Sequence, residues 1–296
     1  MYNYCTLFDS SYLTRGLAMY ESLSRHSSSF HLYVFSFDND CTNTLNKLAL
    51  PNITIIPLQD FESDELLRVK SDRSTAEYCW TCTPSVIKYA IDHYNLPECT
   101  YLDADIYFFS DPSVLITEMG DKSVLITEHR YPSNKDLSET NGKYCVQFIT
   151  FKNNNDGMTA LNWWREKCIE WCYARFEDGK FGDQKYLDDW TTRFQGVHVL
   201  KHLGGGMAPW NIQQYNLKSL NFDIIFYHFH GVKLLPRNRV ELGGYRLSEN
   251  DLQTFYEPYI KHLFSIGVKL NKVNPLTNYN PTQRPTWHWK SPIWLY

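Results

Sequence analysis

Between Tyr4 and Leu102 the sequence alternates short β-branched and aromatic runs with longer amphipathic stripes, and that alternation leaves few architectures open. Residues 4–8 read as a first strand. Asp9-Ser10-Ser11 then supplies helix-start chemistry, and Leu13, Leu17, Tyr20 and Leu23 form the apolar stripe of a first helix. Strands follow at 31–37 and 53–56, with a short helix at 45–50 between them and a helical stretch at 60–69. Thr83-Pro84 is expected to open another helix, Thr as N-cap and Pro in the first turn, with Ile87, Ala90, Ile91 and Tyr94 on its buried face. A further strand runs directly after it. The pattern predicts an α/β fold with a mostly parallel central sheet and helices on both faces. At 296 residues the chain is long enough to bury a substantial core. The second half is less regular: strands are expected at 124–127, 145–151, 197–200 and 224–230, and helices at 158–176, from 181 onward and at 252–264.

The strand after the Pro84 helix ends in Tyr101-Leu102-Asp103-Ala104-Asp105-Ile106-Tyr107-Phe108-Phe109. Two carboxylates one residue apart interrupt an apolar run, where a charge is costly unless something pairs with it. Side chains two apart on extended backbone point the same way. Asp103 and Asp105 can therefore share one hard divalent cation at the carboxyl edge of the sheet, the usual ligand position in such folds. Mg²⁺ and Mn²⁺ are typically held by one or two carboxylates plus substrate phosphate oxygens. A solvated turn after a strand is the alternative reading of the same residues.

Three later segments carry related chemistry. In Tyr227-His228-Phe229-His230-Gly231-Val232-Lys233, alternation puts His228 and His230 on one face, and either suits a cation already held by carboxylates. Gly231 lets backbone approach a diphosphate, and Lys233 offsets phosphate charge. In Phe181-Gly182-Asp183-Gln184, Asp183 reads as a helix cap from which Gln184 projects. Gly204-Gly205-Gly206 permits close backbone approach to a ligand or forms a surface loop, with Trp210 as a platform for a sugar. The net charge of −4 argues against nucleic acid as a partner. Aromatic residues make up 16% of the chain, which suits stacking on bases and sugar faces or simply an aromatic core. The first residues lack a basic-then-apolar leader, so the eight cysteines are expected to be reduced and the protein cytoplasmic. The pairs Cys79/Cys82 and Cys168/Cys172 are too far apart in sequence for a compact zinc module.

Taken in order, these segments resemble glycosyltransferases of the GT-A fold, most closely family 8 and related bacterial surface-polysaccharide transferases. Tyr101-Leu102-Asp103-Ala104-Asp105 is similar to the metal motif of that family. Asp183-Gln184 with Tyr186-Leu187 is similar to its Asp-Gln segment. His228-Phe229-His230-Gly231-Val232-Lys233 is similar to its His-X-X-Gly-X-X-Lys motif, one residue shorter. The resemblance implies Mn²⁺ or Mg²⁺ on Asp103, Asp105 and His228, and the diphosphate on Lys233. It places base and ribose along the first strand at Thr6, Phe8 and Asp9, and Gln184 near the anomeric carbon. It also implies retention of configuration. Cys79-Trp80 stands where relatives carry a donor-binding arginine, and the resemblance leaves Arg73 as the candidate to take that role. Gln147, in Tyr144-Cys145-Val146-Gln147, stands where relatives have glycine.

The expectation is a catalytic domain over residues 1–245 followed by a C-terminal helix and tail over 246–296. The reaction expected is sugar transfer from a nucleotide-diphosphate-sugar donor to a glycan or glycolipid acceptor. A sugar-phosphate nucleotidylyltransferase and a non-catalytic carbohydrate-binding protein are the alternatives. From Lys269 onward the chain has four Lys or Arg, no Asp or Glu, and a Trp- and Tyr-rich end, a composition suited to peripheral contact with the inner membrane face.

Overall fold

The computed structural model describes residues 1–235 and 239–274, together with the backbone of 293–295. Its centre is a seven-stranded sheet built from β1 (Tyr2–Phe8), β2 (Phe30–Ser36), β3 (Ile53–Pro57), β4 (Glu98–Leu102), β6 (Val124–Glu128), β7 (Tyr144–Lys152) and β8 (Val197–Val199). The spatial order is β3-β2-β1-β4-β7-β6-β8. β7 runs antiparallel to both neighbours and the other pairings are parallel. The short strands β5 (Ile106–Phe108) and β9 (Phe226–His228) form a separate antiparallel pair. The strands β10 (Lys233–Leu235), β11 (Arg239–Glu241) and β12 (Ile293–Leu295) make a small third sheet.

Side chains alternate across the central sheet, as an extended backbone requires. Tyr4, Phe8, Leu32 and Val34 enter one core with the helices α1 (Leu13–His26) and, near the C-terminus, Glu257–Val273. Cys5, Leu7, Tyr33 and Phe35 enter the other with the helices Thr75–Tyr94 and Asn155–Glu170. Helices thus cover both faces. The strand predictions hold to within a residue or two, apart from the run expected at 224–230, which pairs only over Phe226–His228.

Helix bounds shift more: the helix expected at 45–50 spans Asn39–Leu48, the stretch at 60–69 is two helices, Leu58–Phe61 and Asp64–Lys70, and the helix expected at 252–264 opens as a π-helical turn and runs on to Val273. Three further helix expectations are corrected. The helix expected to open at Thr83-Pro84 begins at Thr75, because Ser74 and Glu77 form a reciprocal capping box, and Pro84 lies inside it. Thr83 instead back-bonds its hydroxyl to the Cys79 carbonyl. The helix expected over 158–176 spans Asn155–Glu170, and Trp171 is already extended, so Cys172 lies beyond its end. Asp183 caps nothing: the segment after it holds only a 3₁₀ turn, Lys185–Leu187, and one turn of helix, Trp190–Arg193. The expectation for the tail falls on residues outside those described, apart from the backbone of Ile293–Leu295, which pairs with Arg239–Glu241. Among the described residues no helix is long and apolar enough to cross a membrane.

Candidate active site

β4 ends at Leu102, and the next three residues turn out of the central sheet into β5. β5 pairs with β9 so that Ile106 faces His228. Phe229 donates its N–H to the Asp105 carbonyl at 2.9 Å, and His228 donates its own to the Met207 carbonyl at 2.9 Å. This pairing brings together residues more than a hundred positions apart. His228 Nε2 lies 3.0 Å from Asp105 Oδ1 and 3.8 Å from Asp103 Oδ2. One ligand atom from each residue falls within 4.8 Å of the others, the only such cluster of three His, Cys, Asp or Glu among the described residues. The eight cysteines are free thiols.

The charges are tightly coupled. Burial favours a neutral Asp105, but the imidazole of His228 outweighs it, with help from His230 and Arg15, and holds the carboxyl down to about 2. Burial also disfavours a charged His228, yet Asp105 and then Asp103 hold its pKa well above the ordinary range. Asp103 is pushed up to about 6, chiefly by burial and further by Asp105, against the pull of His228. Two carboxylates and one imidazole fit Mn²⁺ or Mg²⁺ better than a thiophilic metal. The remaining imidazole nitrogen, Nδ1, is taken up by Gln147 Oε1 at 2.6 Å. A ligand histidine is commonly held in this way.

Asp183 is buried beside this cluster. Burial, and then the charge of Asp103, push its pKa up to about 8, although the Thr83 hydroxyl and the Gln184 N–H oppose the shift. Trp164 Nε1 donates to the Asp183 carbonyl at 2.9 Å and fixes the segment. Gln184 donates its side-chain N–H to the Asn141 carbonyl.

The remaining predicted residues occupy varied settings. Thr6 is fully buried on β1, with no hydrogen-bond partner for its hydroxyl among the described residues. Phe8 lies against Gly16, where a Cβ would sit 2.5 Å from its ring. Asp9 accepts from the N–H groups of Ser11 and Tyr12 and so holds the turn at the end of β1. Lys233 Nζ is 3.8 Å from Glu241 Oε1 across β10 and β11. Gly231 has φ +80°, a conformation that favours glycine, and approaches Gly243. The Arg73 guanidinium lies 3.9 Å over the Tyr173 ring and donates to the Ile169 carbonyl.

Tyr12 is a residue the sequence reading missed. It is 42% exposed, stacks on the Arg15 guanidinium at 4.5 Å, and is close enough for Asp105 and Asp103 to raise its pKa further beyond the effect of burial. Its position just after the first strand was the available signal. Trp210 was singled out and does flank the cluster, with its ring edge-on to His228 at 5.3 Å and to His230 at 5.8 Å.

No protein-family model matches the chain. Among solved structures, it superposes on the galactosyltransferase LgtC, determined with donor and acceptor sugar analogues, at TM-score 0.54 and 12% identity, covering 89% of this chain and 95% of that one. The bifunctional glycosyltransferase WbbM gives TM-score 0.55 at 14% identity over 92% of this chain and 51% of that one. The glycosyltransferase GlyE of Streptococcus pneumoniae TIGR4 gives 0.55 at 13% over 92% and 62%. The fold is that of the GT-A glycosyltransferases. In sequence, YfnF of Bacillus subtilis (strain 168) is 29% identical over 291 residues, 93% of this chain and 96% of that protein. YfnD of the same organism is 30% identical over 275 residues, 88% of each chain, and on that match this GT-A-fold chain belongs to the family of the uncharacterized protein YfnD.

Proposed function

We propose that the chain is a metal-dependent glycosyltransferase that moves a sugar, with retention, from a nucleotide-diphosphate-sugar donor to a glycan or glycolipid acceptor. The observation that carries this reading is the convergence of Asp103, Asp105 and His228 at the carboxyl edge of β4, on a fold shared with glycosyltransferases. Asp103, Asp105 and His228 would hold a divalent cation, which when bound would supply Lewis-acid stabilisation of the departing diphosphate.

The chain's own residues supply the rest. Lys233, paired only loosely with Glu241, offsets phosphate charge, and Gly231 lets the main chain approach. Tyr12 offers a flat face to the base, held by the turn that Asp9 caps. Gln184, its N–H end tied to Asn141, serves the reacting centre, and Asp183 binds a sugar hydroxyl. A nucleotidylyltransferase is disfavoured because Phe8-Asp9-Ser10-Ser11 stands in place of a loop rich in glycine and basic residues. A carbohydrate-binding protein that acts through its many Trp and Tyr residues does not need Asp103, Asp105 and His228 together.

Calorimetric titration with a panel of nucleotide-sugars, with and without Mn²⁺, tests the proposal. We expect binding that requires Mn²⁺, accompanied by slow metal-dependent release of nucleoside diphosphate. Sugar binding that ignores both metal and nucleotide would establish the lectin reading instead.

A further inference from the structure

Gln147 touches both arms of the cluster. Its main-chain carbonyl accepts the N–H of Asp103 at 3.1 Å, across the β4–β7 pairing. Its side chain, wholly buried, crosses to His228 and presents Oε1 to Nδ1 at 2.6 Å. A neutral imidazole carries one N–H, and the partner of one nitrogen decides where that proton sits. An amide oxygen can only accept, so in the neutral imidazole it keeps the proton on Nδ1, and the Nε2 proton, shared with Asp105 when no metal is bound, is the one that a cation displaces. With the amide turned round, its NH₂ would face Nδ1 and the imidazole proton would sit on Nε2, where a cation must enter.

The surroundings suit the first arrangement. Gly206, at φ +87°, makes room for the amide: a Cβ there would lie 3.0 Å from Gln147 Nε2 and 2.7 Å from a Thr127 methyl. Gln147 Nε2 itself is buried with no partner among the described residues. An unpaired buried N–H costs stability, so the amide is retained for its oxygen. Trp210 packs edge-on to His228 and limits rotation of the imidazole.

We propose that Gln147 is a positioning residue: it fixes the tautomer and orientation of His228 so that Nε2 is free for a divalent cation. The inference rests on the reading of Asp103, Asp105 and His228 as a cation site. Where relatives of the resembled family have glycine, this chain has built a strut from β7 to β9.

The test uses full-length protein and Mn²⁺ alone, with free Mn²⁺ followed by electron paramagnetic resonance. Gln147→Leu keeps the volume and removes the acceptor. We expect it to weaken Mn²⁺ binding by about ten- to a hundredfold, the range found when the outer partner of a ligand histidine is lost. Gln147→Glu keeps an oxygen opposite Nδ1 and is expected to bind Mn²⁺ at least as tightly as the wild type. Nitrogen NMR of His228 in metal-free protein, at a pH high enough for the imidazole to be neutral, should report Nδ1–H in the wild type and its replacement by Nε2–H in the Leu variant. Unchanged Mn²⁺ affinity in Gln147→Leu would overturn the inference, as would a Glu variant as weak as the Leu one. Wild-type protein that takes up no Mn²⁺ would remove the cation-site reading and this inference with it. Thermal unfolding without metal shows whether either variant has lost its fold, a change that a purely structural role would move and the tautomer would not.

Discussion

His228 and His230 lie two residues apart, yet the structure gives them different work. His228 is buried between Asp105 and Gln147, whereas His230 is exposed and accepts from or donates to the Tyr245 hydroxyl at 2.9 Å through Nδ1. Alternation along a strand cannot separate the two, because it assigns both to one face. The pairing of β9 with β5 separates them, since Ile106 opposes His228 and the strand ends there. We therefore expect His228→Ala to raise the Mn²⁺ concentration for half-maximal binding by about tenfold or more, as befits a lost ligand, and His230→Ala to leave it nearly unchanged. A Mn²⁺ titration of both variants checks the ranking, and the reverse order would move the imidazole ligand to His230. Gln147 shows a second limit of sequence reading at this scale. Its departure from the glycine of related transferases is visible in the chain, but its contact with a residue 81 positions away exists only after β7 and β9 are placed.

At the scale of elements, legibility followed length and periodicity. α1 was readable from Leu13, Leu17, Tyr20 and Leu23, all buried. The strands of the first half were readable because each pairs with a parallel neighbour over five to seven residues or sits at the sheet centre. β8 and β9 are three residues long, too short for a period, and tertiary pairing sets their limits. Thr83-Pro84 misled because proline favours a first helical turn, while the Ser74–Glu77 capping box, itself visible in the sequence, starts the helix nine residues earlier. The glycine run gives the sharpest case. Composition allowed Gly204-Gly205-Gly206 to cradle a ligand, but a Cβ on Gly204 would stand 1.8 Å from the Asp223 carbonyl oxygen, and one on Gly205 would meet Leu200 and Leu115 within 2.9 Å. Arg130 further ties its guanidinium to the carbonyls of Leu203 and Gly205. These two glycines serve packing. Gly204→Ala should therefore cost about 1–3 kcal/mol, since main chain must move to admit the methyl. Gly244→Ala, with nothing within 4 Å of the added carbon, should change stability by less than about 0.5 kcal/mol. Urea unfolding of both variants measures the contrast, and equal midpoints would return Gly204 to the pool of ligand-binding candidates.

At the scale of the molecule, the sheet divides two apolar cores, and the helix Glu257–Val273 closes the one that lies behind the site. Tyr259, Ile260, Leu263, Ile266 and Leu270 are buried in that core together with Leu13, Leu17 and Phe229. The Tyr259 ring stacks on Phe229 with centroids 3.8 Å apart and an interplanar angle of 17°. Phe229 follows His228 directly and donates its N–H to the Asp105 carbonyl, so a C-terminal helix braces the segment that joins two members of the cluster. Arg15 of α1 ties the next stretch by donating to the Val232 carbonyl at 2.8 Å. The Tyr259 hydroxyl is buried and has no hydrogen-bond partner among the described residues. The ring and the hydroxyl should therefore act in opposite directions. Tyr259→Ala opens a cavity behind Phe229 and should cost about 3–5 kcal/mol. Tyr259→Phe keeps the stack, relieves a buried unpaired hydroxyl, and should be as stable as the wild type or more so. Denaturant unfolding with matched slopes gives both values. A Phe variant that falls with the Ala variant would show that the hydroxyl, not the stacked ring, is what this helix contributes behind the site.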